Sequence, residues 1–213
     1  MPSTLHAVII ADVMASRSRE NLRQVLGKKL AEVSKHHLSR KLIALPYSVT
    51  AGDEFQTITR QLSAIPSLLL ELRAALRPLS LRIGLGIGRV SGRVQPPVNR
   101  LGGEAFQFAR KAIENVKAGA LFKFDVLTTF QTTKPRFNET INLIYGLHDT
   151  LMLKITDKQW KTIKELLENP SQELSARKLR LDASTVSRNL KRGYYWQISE
   201  TVKVAESLIT DTF

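Results

Sequence analysis

Thr50-Ala51-Gly52-Asp53-Glu54-Phe55 lies between two apolar, strand-like runs, residues 42–49 and 55–59. Glycine supplies the backbone freedom of a tight turn, so the two runs read as a β-hairpin with Gly52 at its tip. Asp53 and Glu54 follow directly and add little to a core. Two carboxylates at a turn suit a divalent cation; Mg²⁺ takes carboxylate and phosphate oxygens while keeping several waters. Asp12 has a similar setting. It ends the apolar run Leu5-His6-Ala7-Val8-Ile9-Ile10-Ala11, which reads as a buried strand. With that strand beside the hairpin, Asp12 and Asp53 face one another across a shared site.

Outward from the hairpin, strand and helix patterns alternate as far as residue 129. Ser16 or Ser18 is expected to cap a helix whose apolar residues Leu22, Val25, Leu26, Leu30 and Val33 recur at helical spacing. Pro66 opens a second helix, with Leu68, Leu69, Leu72 and Leu76 on its buried side. Residues 81–87, Leu-Arg-Ile-Gly-Leu-Gly-Ile, alternate as a strand, and their glycines indicate close backbone approach or a bend. Residues 88–99 read as a loop or short exposed hairpin. Gly102-Gly103 precede a third helix, 104–116, ended by Gly119, and residues 121–127 are expected as a final strand. The order βαββαβ, then one more helix and strand, predicts an α+β domain of ferredoxin-like type. Its sheet is expected to be antiparallel with helices on one face. The expected organisation is this domain over 1–130, a linker with a connecting helix over 131–155, and an all-α domain over 156–213.

The chain of 213 residues is 43% hydrophobic, enough for a sizeable core. It contains no cysteine, which excludes disulfides, thiol catalysis and cysteine-ligated zinc. His36-His37 are the only close histidine pair and read as a polar helix end, so no histidine metal site is expected. No segment reaches the length of a membrane span, and the first residues lack a signal-peptide order. A soluble cytoplasmic protein with no membrane partner is expected. The net charge of +13 favours polyanions, nucleic acid and nucleotides among them.

Residues 171–193 carry a second pattern. Ala176 is small, as a close helix crossing requires. Leu179 and Leu181 are expected beneath a turn, and Val186 and Leu190, four apart, bury one side of a following helix. That leaves Ser184, Thr185, Ser187, Arg188, Lys191 and Arg192 available to base edges and phosphates of double-stranded DNA. Residues 157–167 supply a preceding helix with Trp160, Ile163, Leu166 and Leu167 as its apolar side. The motif resembles the helix-turn-helix of bacterial sigma-factor and response-regulator DNA-binding domains. It departs from them at Arg180, which stands where glycine is usual. Tyr194, Tyr195 and Trp196 read as core or docking residues, and residues 200–209 as a last helix against this domain or a second subunit.

Residues 51–55 resemble the GGDEF hairpin of diguanylate cyclases, with Ala51 for the first glycine. Residues 82–88 and 103–111 resemble the strand and helix that follow in GGDEF domains and in class III nucleotide cyclases. The resemblance implies that Asp12 and Asp53 hold Mg²⁺ or Mn²⁺ over a nucleoside triphosphate or a cyclic nucleotide. It implies that Arg110 serves a transition state, and that Ser16, Arg17, Gly52 and Glu54 surround the nucleotide. Phe106 replaces an asparagine of the class III enzymes, and the guanine-reading residues of diguanylate cyclases have no match. The whole arrangement is similar to the SatD family of bacterial proteins, on residues 11–17, 50–56 and 187–193. One expected function is a DNA-binding transcriptional regulator, a homodimer, whose degenerate cyclase-like domain senses a nucleotide. The alternatives are an active nucleotidyl cyclase or nucleotidyl transferase using two Mg²⁺ ions, and a regulator whose first domain only dimerises.

Overall fold

A computed structural model describes residues 4–16 and 21–213. Ser18 and Arg17 lie outside the described residues. The elements run β1 (His6–Val13), α1 (Leu22–Ser39), β2 (Ser48–Ala51), β3 (Glu54–Thr59), α2 (Ile65–Leu76), β4 (Leu81–Gly88), α3 (Glu104–Ala118), β5 (Thr128–Gln131), α4 (Pro135–Met152), α5 (Asp157–Glu168), α6 (Gln172–Leu179), α7 (Ala183–Arg192) and α8 (Tyr195–Thr212). One sheet has the order β2-β3-β1-β4-β5. β1 sits centrally and pairs antiparallel with β3 and with β4, so the expected neighbourhood of first strand and hairpin is present.

Five expectations are corrected. The sheet is mixed, because β5 runs parallel to β4. Both its faces are covered. Ala7, Ile9, Ala11 and Val13 share a core with Leu26, Leu30, Leu68, Leu69 and Leu72 of α1 and α2. Val8 and Ile10 on the opposite face pack with Ala105, Ala109 and Ile113 of α3. The continuous apolar run of β1 had this meaning, since a half-exposed strand would alternate.

The last strand is Thr128–Gln131 and not 121–127. Phe122 and Phe124 stack on each other at 4.9 Å beside Gly146 of α4. The threonines enter the sheet because their hydroxyls are bonded: Thr129 donates to the Ala112 carbonyl at 2.7 Å, and Thr128 accepts from Arg73 at 2.8 Å. The first hairpin strand is short. Pro46 has no N–H for a ladder, and residues 42–47 instead lean on single bonds, such as Tyr47 N–H to Ser34 Oγ at 3.0 Å. Ser16 caps nothing in α1. It lies in a tight turn after β1, and α1 starts at Leu22 behind Asn21.

The glycines of β4 admit α3. A Cβ at Gly84 would stand 2.2 Å from the Ile113 nitrogen, and one at Gly86 2.1 Å from the Ala105 oxygen. Such contact is closer than any side chain allows, so the predicted close approach is met here.

Beyond the sheet, α4 is no loose connector: Phe137, Ile141 and Tyr145 join the main core. α5, α6 and α7 pack around Trp160, Ile163, Leu166, Ala176, Val186 and Leu190, together with Leu70 and Ala74 of α2. α8 spans both regions. Ile198 and Val202 enter the helical cluster, while Ala205 and Ile209 enter the main core. Ser67 Oγ of α2 donates to Glu206 at 2.5 Å. The last helix therefore fastens the α5–α7 bundle to the sheet of the same chain. Among the described residues no helix is long and apolar enough to cross a membrane.

Candidate functional site

Strand register sets the site. Asp12 of β1 is opposite Glu54 of β3 on one side and Arg82 of β4 on the other. Cross-strand partners project to the same face, so Glu54, Asp12 and Arg82 form a row. The face is the one that α3 crosses. Gly52, with φ +58°, and Asp53 form the two-residue turn between Ala51 and Glu54. The turn brings Asp53 back over β1, where Val13 N–H donates to the Asp53 carbonyl at 3.3 Å. The Asp53 charge acts on Asp12 and helps to raise its pKa. The turn is thus beside the end of β1 that carries Asp12.

α3 supplies cations. Arg110 forms a two-pronged contact with Glu54, Nη1 to Oε2 and Nη2 to Oε1, both 2.8 Å. Lys117 Nζ stands 3.5 Å from Asp12 Oδ1 and 3.5 Å from Glu54 Oε2. Arg82 Nη1 is 3.8 Å from Asp12 Oδ2. Arg110 and Lys117 are seven residues apart, two helical turns, and therefore share a face. The Thr50 hydroxyl adds a bond to Glu54 Oε1 at 3.2 Å. Asp12 and Glu54 are buried while the cations stay half-exposed.

The two buried carboxyls are pushed apart in acidity. Burial raises the Asp12 pKa, and nearby Asp53 adds to the rise against the opposing Lys117. Burial also acts against ionisation of Glu54, but hydrogen bonds and charge from Arg110, with Lys117 and Thr50, hold it below the usual carboxylate value. Glu54 in turn raises Arg110. Opposite shifts in adjacent groups are what acid–base chemistry uses.

Sequence reasoning placed Glu54 and Gly52 around a nucleotide and Arg110 at a reacting centre. The structure puts Glu54 in an ion pair with Arg110, Gly52 at the exposed turn, and Ser16 in the turn after β1. Arg17 lies outside the described residues. Lys117 was missed because the helix was expected to end at Val116; its two-turn spacing from Arg110 was the available signal. Asp12 and Asp53 are the residues suited to a Mg²⁺ ion, which needs only one or two protein carboxylates beside phosphate oxygens. Lys117 now serves Asp12 as its cation. Among the described residues no group of three or more His, Asp or Glu side chains is placed to hold a metal ion.

At the other end of the chain, α6 and α7 are joined by a short turn, residues 180–182, with Arg180 left-handed at φ 53°. Non-glycine residues adopt that conformation at some strain. Val186 and Leu190 are fully buried, and Asn189 bonds Thr162 of α5 at 3.1 Å. Ser184, Ser187, Arg188, Lys191 and Arg192 are exposed and Thr185 is half-buried. The Arg188 guanidinium folds back on Thr185 Oγ1 at 3.0 Å. Leu181, expected beneath the turn, is instead 38% exposed directly after the left-handed Arg180 that ends α6. His37 is also corrected: it is buried, 3.0 Å from the Tyr47 hydroxyl, not at a polar helix end.

The sequence profile of the SatD family matches residues 6–209. The chain belongs to the SatD family. No match was found among curated proteins. Similar solved structures include the dimeric guanylyl cyclase domain of the RhoGC fusion protein from the aquatic fungus Blastocladiella emersonii, 17% identical, covering 51% of this chain and 73% of that one, with a TM-score of 0.39. The adenylyl cyclase CyaB from P. aeruginosa is 17% identical over 51% and 70%, TM-score 0.35. A regulator of polyketide synthase expression from Bifidobacterium adolescentis is 14% identical over 100% and 87%, TM-score 0.31.

Proposed function

We propose that this SatD-family protein is a DNA-binding transcriptional regulator whose cyclase-like domain is a degenerate nucleotide sensor. The observation that carries the DNA-binding reading is the division of α7. Val186 and Leu190 anchor one side, and the other presents hydroxyls and cations in a row. Such a helix suits a major groove, where Ser and Thr meet base edges and Arg and Lys meet phosphates or guanine. The +13 charge supports the same partner. Domain limits of 1–130, 131–155 and 156–213, a homodimer and a cytoplasmic location belong to this proposal.

The degenerate character rests on internal pairing. Glu54 is taken by Arg110, and Asp12 by Lys117 and Arg82. A nucleotide with Mg²⁺ would use Asp12 and Asp53 for the metal and draw Lys117 and Arg110 to its phosphates. The metal would neutralise phosphate charge there. Releasing α3 from its carboxylates is the first step by which binding reaches the rest of the chain.

The test is fluorescence anisotropy of labelled duplex DNA over a salt series, with and without NTP and Mg²⁺. Wild type is expected to show a steep salt slope, reduced by about 1 for each phosphate-contacting cation removed, as in Arg188→Ala and Lys191→Ala. A nucleotide is expected to shift the affinity; unchanged affinity would refute the sensing half. The second reading, an active nucleotidyl cyclase or transferase, is favoured by the approach of Asp53 to Asp12. It requires pyrophosphate release from an NTP that Asp12→Ala and Asp53→Ala abolish.

A further inference from the structure

A small cavity of about 240 Å³ lies where the sheet meets the α5–α7 bundle. Arg73 of α2, Arg77 and Ser80 just after that helix, and Trp160 of α5 line one part of it. Apolar side chains line the rest, among them Leu79, Leu127, Met152 and Leu153. Its composition is that of a ligand site, apolar walls with a few convergent polar groups, on a scale below the roughly 300–1,000 Å³ of drug-sized sites.

Two of the polar groups carry a donor that meets no acceptor among the described residues. Trp160 is only 4% exposed, and its Nε1–H has no partner among the described residues. The Arg77 Nε–H is buried and also unpartnered among the described residues. The Arg77 guanidinium lies over the Trp160 ring, 5.4 Å from its centroid. A buried donor left unpaired is expensive and uncommon in native structures; two in adjacent residues on one cavity indicate a missing acceptor.

Charge gives the sign of that acceptor. Arg73 is fully enclosed, its hydrogens going to the Leu81 and Leu127 carbonyls and to Thr128 Oγ1 at 2.7, 3.2 and 2.8 Å. Its nearest carboxylate, Asp149, is 4.0 Å away and already accepts the Leu127 N–H at 2.7 Å. The exposed Asp157 holds one Nη of Arg77. The interior of the cavity therefore faces two guanidiniums and an indole N–H.

We propose that this cavity binds a small monocarboxylate with an apolar body. The carboxylate takes the Arg77 Nε–H and the Trp160 Nε1–H, and its hydrocarbon part lies against Leu79, Leu127, Met152 and Leu153. A phosphate dianion suits the site poorly, because apolar walls would strip more hydration than two donors restore. Occupancy ties α2 to α5 at the root of the α5–α7 bundle, which makes the site a position for an effector. The inference does not depend on the Asp12 site.

The sequence holds two tryptophans, and Trp196 is exposed, so Trp196→Phe leaves Trp160 as the sole indole reporter in the full-length chain. Its emission is followed while hexanoate, hexanamide or inorganic phosphate is added at constant ionic strength. A saturable change with hexanoate is expected, with at least tenfold weaker responses to hexanamide and phosphate. Arg77→Met is expected to weaken hexanoate at least tenfold. Asp157→Asn, which frees Arg77, is expected to tighten it several-fold and guards against misreading a folding defect. No saturable response to hexanoate, equal response to the amide, stronger response to phosphate, or an Asp157→Asn affinity equal to wild type would each overturn the proposal.

Discussion

Lys117→Met tests whether the Lys117 ammonium stands in for a bound cation. Its Nζ lies 3.5 Å from Asp12 and 3.5 Å from Glu54. A unit-charge pair at about 4 Å is worth about 4 kcal/mol at an effective dielectric of 20 and about 1 kcal/mol in water. Lys117 is 38% exposed, so screening places each pair near the lower figure. The expected loss is about 1–2 kcal/mol in urea denaturation at pH 8, with Asp12, Asp53 and Glu54 left to repel one another. The pH dependence has a definite sign. The Asp12 pKa in the folded chain lies above its unfolded value, so its stabilisation is present at low pH and lost as pH rises through the folded pKa. Removing Lys117 raises that pKa further, so the gap between variant and wild type widens from acid towards neutral pH. A vacated cation position should also gain metal. At ten times its dissociation constant, a site-bound Mn²⁺ stabilises by about 1.4 kcal/mol, read as a higher Tm in the variant than in wild type. A gap that stays constant with pH, together with equal Mn²⁺ shifts in both proteins, would refute the reasoning.

Arg110→Ala removes both 2.8 Å bonds from Glu54 and leaves a buried carboxylate with Lys117 as its cation. With half-exposure of Arg110 discounted, about 1–2 kcal/mol should be lost in chemical denaturation at neutral pH. The loss should shrink as pH falls through the depressed folded pKa of Glu54. Gly86→Ala drives a Cβ to 2.1 Å from the Ala105 oxygen and 2.3 Å from the Ala109 nitrogen, both backbone. Thermal melting should show a loss of at least about 2 kcal/mol, the scale of overpacking a core, and an unchanged Tm would contradict the α3–β4 packing. Arg180→Gly relieves a left-handed residue at φ 53°. It should stabilise by about 1 kcal/mol, read as a raised urea midpoint, and a lowered midpoint would show that the Arg180 side chain contributes more than its strain removes.

The sequence by itself determined the order of strands and helices through residue 118, the hairpin at Gly52, and the place of that hairpin beside the strand of Asp12. It also determined the glycine entry for α3 and the buried side of α7. These follow from local rules: strand alternation, helical spacing, and the backbone freedom of glycine. The strand at residues 121–127 misled because apolar content was weighed above hydroxyls that Arg73 and Ala112 satisfy. Only the tertiary structure decided that the sheet is covered on both faces, that α8 returns to the main core, and that Arg110 and Lys117 neutralise Glu54 and Asp12. Helical spacing says which side chains share a face. What that face lies against depends on partners 56 positions away in sequence, as Arg110 and Glu54 are, and such pairings exist only once the chain has packed.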